Sequence, residues 1–259
     1  MSTRPLVIGN WKMNLDYVEA VHLTQQLGVV LRNKPLEHVD LVVAPPFVDL
    51  RSVTSVVEAD RVPVEVAAQH ASVHDAGAHT GEVSVPMLQR LNVLWVLVGH
   101  SERRAMYAMN DEVVAQTLRA VVRHGLRAVL CVGEELSVRE ASRHAELVTA
   151  QLHAALEGLD DASRALVTIA YEPVWAIGTG LTATTAQVRD MTEHIRVVAA
   201  SLSLGDARVL YGGSVNADNA AALMNEGGVD GFLVGGASLK AESFLAIAQA
   251  ANDCYDGKR

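Results

Sequence analysis

Ala170-Tyr171-Glu172-Pro173-Val174-Trp175-Ala176-Ile177-Gly178-Thr179-Gly180 is the stretch from which the rest of the chain can be read. The apolar run leading into it starts at Ala165, is partly β-branched, ends at Glu172 and is followed by proline, the pattern of a buried strand that stops there. A carboxylate in that position sits at the rim of a core, where partial loss of water makes it a stronger base. Pro173 is a stiff entry to the loop beyond the strand, and Gly178 and Gly180 around Thr179 are a flexible exit, with an apolar tip between them. These are the features of a hinged lid over a base. An isolated strand-end Glu reads equally as a solvated loop residue, so the choice depends on what the rest of the chain brings to the same place.

The strand pattern recurs from end to end. Short runs of mostly Val, Leu and Ile occur at Leu6–Ile8, Asp40–Ala44, Val62–Ala67, Val93–Val98, Ala128–Val132, Leu166–Ala170, Ala207–Tyr211 and Gly231–Val234. Little polar alternation interrupts them, which predicts strands buried on both faces, as in a parallel sheet. Between them apolar residues recur at helical spacing: Ala20, Leu23, Leu27 and Val30; Ala141, Ala145, Val148, Leu152 and Leu156; Val188, Met191, Ile195, Val198 and Leu202. Asp16, Ser137, Thr184 and Asn216 stand where N-caps are expected. Eight strands alternating with helices predict an α/β fold, a single-domain (β/α)8 TIM barrel over residues 1–259, with its working face at the C-terminal ends of the strands. A doubly wound open sheet would carry a glycine fingerprint after the first strand, and Gly9-Asn10-Trp11-Lys12-Met13-Asn14 is not one.

Composition narrows the class further. With 259 residues, half of them apolar and a fifth charged, the chain suits one large soluble domain. A net charge of −9 argues against a nucleic-acid or anionic-membrane surface while leaving room for a local site for an anionic metabolite. Cys131 and Cys254 form neither a disulfide framework nor a zinc pattern. The start runs into only three apolar residues, Leu6–Ile8, before Gly9, too few for a signal peptide, and no run approaches the ~20 apolar residues of a membrane span. The expected location is the cytoplasm.

In a barrel, strand ends far apart in sequence converge. The first strand delivers Asn10 and Lys12, placed on one face by alternation, both able to donate to an anion or carbonyl. The fourth delivers Gly99-His100-Ser101-Glu102-Arg103-Arg104, with His100 just before a predicted helix start, which opposes the positive form of an imidazole. The sixth gives Glu172. The seventh gives Tyr211-Gly212-Gly213-Ser214-Val215-Asn216, and the eighth gives Asp230 through Leu239 with Gly235-Gly236. Both last loops combine glycine with a following helix start, a backbone cradle for phosphate at the usual phosphate site of this architecture. Each feature alone has a plain structural reading: a strand terminus, a core histidine, a tight turn.

Together they resemble the triosephosphate isomerase family. The resemblance runs essentially end to end and rests on Gly9 through Asn14, Val98 through Arg104, Ala170 through Gly180, Tyr211 through Val215 and Asp230 through Leu239. It implies interconversion of dihydroxyacetone phosphate and D-glyceraldehyde 3-phosphate, with no metal or organic cofactor. Glu172 would be the base, His100 the electrophile, and Lys12 and Asn10 the electrostatic and hydrogen-bonding partners of the substrate. Glu102 would support the site from behind. Gly178, Ser214, Gly235 and Gly236 would bind phosphate. The resemblance also implies a homodimer through loop 69–82, with Thr80 completing the neighbour's site; a self-packed Ω-loop is the alternative.

Four positions depart from the family pattern: His70 for Asn or Asp, Met109 for an acid, Leu181 for Lys or Arg, and Ser142 for Gly. The first two lie near the expected dimer contacts. Ile177 and Leu233 suit a three-carbon substrate. A paralogue acting on a four-carbon sugar phosphate, such as erythrulose phosphate, would share these motifs. A phosphometabolite-binding regulator would need none of Lys12, His100 and Glu172.

Overall fold

The computed structural model describes residues 4–178 and 181–256; Thr179 and Gly180, the predicted flexible exit of the lid, lie outside the described residues. Eight parallel strands close into a barrel in sequence order: β1 (Leu6–Asn10), β2 (Asp40–Ala44), β3 (Glu65–Ala68), β4 (Trp95–Val98), β5 (Arg127–Glu134), β6 (Val167–Pro173), β7 (Val209–Tyr211) and β8 (Gly231–Val234). β8 closes back on β1 with Leu6 opposite Gly231 and Ile8 opposite Leu233. Around them run α1 (Tyr17–Asn33), α2 (Leu50–Ala59), α3 (Val85–Arg90), α4 (Ser101–Met106), α5 (Asp111–Arg123), α6 (Leu136–Glu140), α7 (His144–Leu156), α8 (Asp161–Arg164), α9 (Thr185–Ser201), α10 (Ala217–Asn225) and α11 (Ala241–Asp256).

The continuous apolar runs are explained by two cores. Leu6, Ile8, Val42, Trp95, Leu97 and Val129 fill the barrel interior, while Val7, Leu41, Val43, Val96 and Val98 face the helices. At the N-terminal mouth, Trp95 is held by its indole N–H on Glu65 (2.5 Å) and lies under the guanidinium groups of Arg127 and Arg208 at 5.0 and 5.6 Å. No helix among the described residues is long and apolar enough to cross a membrane.

Several expectations need correction. β6 runs one residue past Glu172, to Pro173, because β5 is long enough to pair with it through Glu134. Ser137 is not an N-cap: α6 starts at Leu136 behind Glu135, so Ser137 lies inside it. The stripe from Ala141 to Leu156 is not one helix: Ala141 is the exposed C-cap of α6, Ser142 takes a left-handed φ of 55°, and α7 starts at His144. Val30 is exposed as well, and Leu31 takes the buried place on α1. Asp16, Thr184 and Asn216 do cap their helices, each in a reciprocal capping box.

Candidate active site

Asn10 continues the inward face of β1 after Leu6 and Ile8, and Glu172 continues that of β6 after Ala170. Strand alternation therefore aims both at the top of the barrel. Lys12 arrives differently from what alternation suggests. β1 ends at Asn10, and Lys12 lies in the turn beyond with φ 54°. Its N–H donates to Asn10 Oδ1 (3.0 Å), and its carbonyl accepts from Gln69 Nε2 (2.8 Å), which also donates to the Ala44 carbonyl. These three bonds hold a non-glycine residue in a conformation it would otherwise avoid.

Strict alternation would send His100 outward with Val98. Gly99, at φ 73°, turns the chain so that His100 reaches the cleft. His100 caps α4, its Nδ1 accepting from the Glu102 N–H at 3.2 Å. A ring nitrogen that accepts carries no proton, so the imidazole is neutral with its hydrogen on Nε2. That Nε2 lies 3.2 Å from Glu172 Oε1.

Glu172 is 2 % exposed. Its Oε2 accepts from the Ser101 N–H at the start of α4 (2.8 Å). Oε1, although close to His100, is not aligned for a hydrogen bond and has no partner among the described residues. A buried carboxylate thus keeps an unused lone pair facing the cleft, as a base requires. Gly212 makes room for it: a Cβ there would stand 2.9 Å from Glu172 Cγ. Inside the barrel, burial first and the Glu172 charge second push the Cys131 thiol well up, so it stays protonated.

These groups share one cleft of about 320 Å³, lined by Asn10, Lys12, His100 and Glu172 on one side and by Gly178, Ser214, Gly235 and Gly236 on the other. The Ser214 hydroxyl donates to the Ala176 carbonyl (2.8 Å), joining the seventh loop to the segment after β6. Ile177 and Leu233 add apolar walls. Glu102 stands behind, its Oε1 paired with Lys12 Nζ at 2.5 Å. Thr80 is not brought to this cleft; it is exposed on loop 69–82.

A model of the triosephosphate isomerase family matches residues 5–251. The chain belongs to the triosephosphate isomerase family. Among relatives bearing that name, the protein of Corynebacterium glutamicum is 47 % identical over 253 residues, 96 % of this chain and 97 % of its own. Those of Nocardia farcinica and Saccharopolyspora erythraea are each 46 % identical over 255 residues, 97 % of this chain and 98 % of theirs.

For this member of the triosephosphate isomerase family, sequence reasoning missed the anchor of the segment after β6. Glu134, buried at the end of β5, accepts on Oε1 from the Tyr171 hydroxyl and from Trp175 Nε1, both at 3.0 Å, with Arg139 3.4 Å away. The Arg139 guanidinium also lies 5.8 Å from the centre of the Trp175 ring. The one available signal was Glu134 ending a strand, the same pattern that drew attention to Glu172. The departures His70 and Met109 also find their places. Met109 is 4 % exposed and packs in the core between strands and helices, so the site of a frequent acid is apolar here. Arg103 stacks over Tyr107 at 4.8 Å, with its Nε buried and unpartnered. Burial, then the Arg103 charge, pushes His70 down to about 4.

Proposed function

We infer that the protein is a cofactor-independent aldose–ketose isomerase interconverting dihydroxyacetone phosphate and D-glyceraldehyde 3-phosphate. The single observation that carries the assignment of roles is Glu172: a buried carboxylate with one free oxygen, beside a neutral imidazole and across one cleft from a glycine-lined cradle. Glu172 takes a proton from the carbon next to the carbonyl, leaving an enediolate, and returns it to the neighbouring carbon. The His100 Nε2–H, the Asn10 amide and the Lys12 ammonium stabilise the oxygen on which charge develops. Glu102 positions Lys12. The backbone around Gly178, Ser214, Gly235 and Gly236 holds the phosphate, whose binding energy draws the lid over the base. An assay coupled to each product, comparing kcat/KM for triose and tetrose phosphates, tests the reading. Preference for the triose is expected; preference for the tetrose would make the protein the four-carbon paralogue, and binding without turnover a regulator.

The same reading makes the protein a homodimer. Met13 and Tyr17 follow β1, Val48 follows β2, Met87 follows β3, and Met106 and Tyr107 follow β4; all are exposed, Met13 by 95 % and Val48 by 82 %. β1 to β4 are neighbours in the barrel, so the segments carrying these exposed apolar side chains leave from adjoining strands, which favours a partner surface on that flank. Loop 69–82 follows β3 on that flank, and Thr80 on it would reach the neighbour's Lys12 and Asn10. Two free cysteines suit the cytoplasm as the place of work.

A further inference from the structure

Two consecutive peptide units of the loop after β7 are held by one side chain. Asn219, in the first turn of α10, is half-buried and lines the same cleft as Ser214 and Val215. Its Nδ2 donates to the Ser214 carbonyl (3.2 Å), and its Oδ1 accepts from the Asn216 N–H (2.9 Å). Only one orientation of the amide meets both partners, a carbonyl on one side and an N–H on the other. In return, Asn216 Oδ1 accepts from the N–H groups of Asp218 (2.9 Å) and Asn219 (3.1 Å), so loop and helix hold each other.

Capping a helix needs only part of this arrangement. The exchange with Asn216 closes the box; the bond to Ser214 reaches two residues further back, into the loop. Glu19 in α1 and Gln187 in α9 close the corresponding boxes, and among the described residues neither bonds to the chain before its cap. The additional bond acts on the cleft. The Ser214 carbonyl and the Val215 N–H are opposite edges of one planar peptide, so holding the first sets the direction of the second. Ser214 is thus held twice, by its hydroxyl on the Ala176 carbonyl (2.8 Å) and by its carbonyl on Asn219. Among the described residues, the N–H groups of Ser214 and Val215 have no acceptor.

We propose that Asn219 is a positioning residue for the phosphate of the substrate, its amide keeping the Ser214–Val215 backbone turned for binding. The proposal rests on the reading above that this loop holds phosphate. Among the described residues lining the cleft, Lys12 is the one cation, and it is already paired with Glu102. Recognition of the phosphate therefore falls largely on backbone N–H groups, whose dipoles serve an anion only when they are aimed at it. A loop fixed beforehand binds at no cost in ordering. Without the Asn219 amide, the anion itself would have to order Ser214 and Val215, and affinity would fall by that cost. The reacting carbon and oxygen atoms lie across the cleft, beside Glu172 and His100, so the loss would be one of binding more than of chemistry.

Isomerase kinetics of the full chain, with inorganic phosphate as competitive inhibitor, read the effect on wild type and on Asn219→Ala. The variant should show KM and the inhibition constant of phosphate each raised about tenfold, with kcat within about threefold of wild type. A cap that served the helix alone would lower the melting temperature and move neither constant. Should the alanine variant not fold, Asn219→Asp makes the same comparison: it keeps an acceptor for the Asn216 N–H but has no donor for the Ser214 carbonyl, and the same two constants should rise about tenfold or more. A folded variant with both constants within about twofold of wild type overturns the proposal, as does a fall in kcat as large as that in kcat/KM. A wild type that inorganic phosphate does not inhibit removes the reading of the cradle itself, and the proposal with it.

Discussion

Shortening Glu172 by one methylene, as Glu172→Asp, separates the role of its position from the role of its charge. The carboxylate withdraws by about one carbon–carbon bond, ~1.5 Å. Its present contacts are 2.8 Å to the Ser101 N–H and 3.2 Å to His100 Nε2, so neither survives such a retreat without rearrangement. A misplacement of about 1 Å at a reacting group costs on the order of 10²-fold in rate, or about 2.7 kcal/mol. The structural cost is smaller than the fold can absorb: roughly 0.8 kcal/mol for the lost methylene and about 1–3 kcal/mol for the Ser101 N–H left unpaired. The variant should therefore be folded and slow. The assay is kcat/KM in both directions, repeated with substrate deuterated at the carbon that loses its proton. The expected result is a loss of about 10²-fold or more, with a larger isotope effect because proton transfer has become the slow step. A folded variant within about threefold of wild type would refute the assignment of Glu172 as base.

Trp175→Phe deprives the buried Glu134 carboxylate of one of its donors, a charged hydrogen bond of about 1.5–3 kcal/mol, and thermal unfolding should fall by about 4–10 °C. Ser142→Gly relieves the left-handed φ of 55° between α6 and α7; the gain of ~1–2 kcal/mol is partly offset by ~0.4–1 kcal/mol of unfolded-state entropy, so urea denaturation should show a net gain of about 0.5 kcal/mol. His70 is depressed in the folded chain to about 4 from 6.5, so its neutral form contributes stability that is complete above pH 6.5 and lost as pH falls toward 4. At about pH 5 that loss is on the order of 2 kcal/mol, and denaturant curves at equal subunit concentration should show His70→Asn losing that much less than wild type between about pH 7 and pH 5.

The barrel was legible because a parallel strand buried on both faces cannot conceal itself. Leu6–Ile8, Asp40–Ala44 and Gly231–Val234 are apolar at every inward and outward position that the two cores need, and the observed strands include them all. What blurred was punctuation. Ser142 stands where the family pattern has Gly, yet a serine forced into a left-handed turn has the same letter as a serine on a helix face. The stripe from Ala141 to Leu156 therefore looked continuous although α6 and α7 part company there. Ser137 failed as a cap for a related reason: side-chain chemistry nominates a cap, but the backbone turn two residues earlier decides where the helix starts.

The site was legible for a different reason, and only in part. Asn10 and Glu172 lie at the ends of β1 and β6 and point inward by alternation, and His100 follows β4 after Gly99 turns the chain inward, so the closed barrel brings the three to one opening. Lys12 reaches the same cleft through a strained turn that depends on Gln69, some 57 positions away, holding its carbonyl. Pairwise ties of this kind have no local pattern: Glu134 with Trp175 is 41 positions apart, and Lys12 with Glu102 is 90. Met109 shows the converse. A residue whose letter departs from a family pattern, placed near the expected dimer contacts, lies instead in the core. The candidate site residues are placed by strand ends and can be read from one sequence. The contacts that hold those groups still are placed by the closed barrel, which sets the Gln69 amide over the Lys12 carbonyl and Glu134 under Trp175.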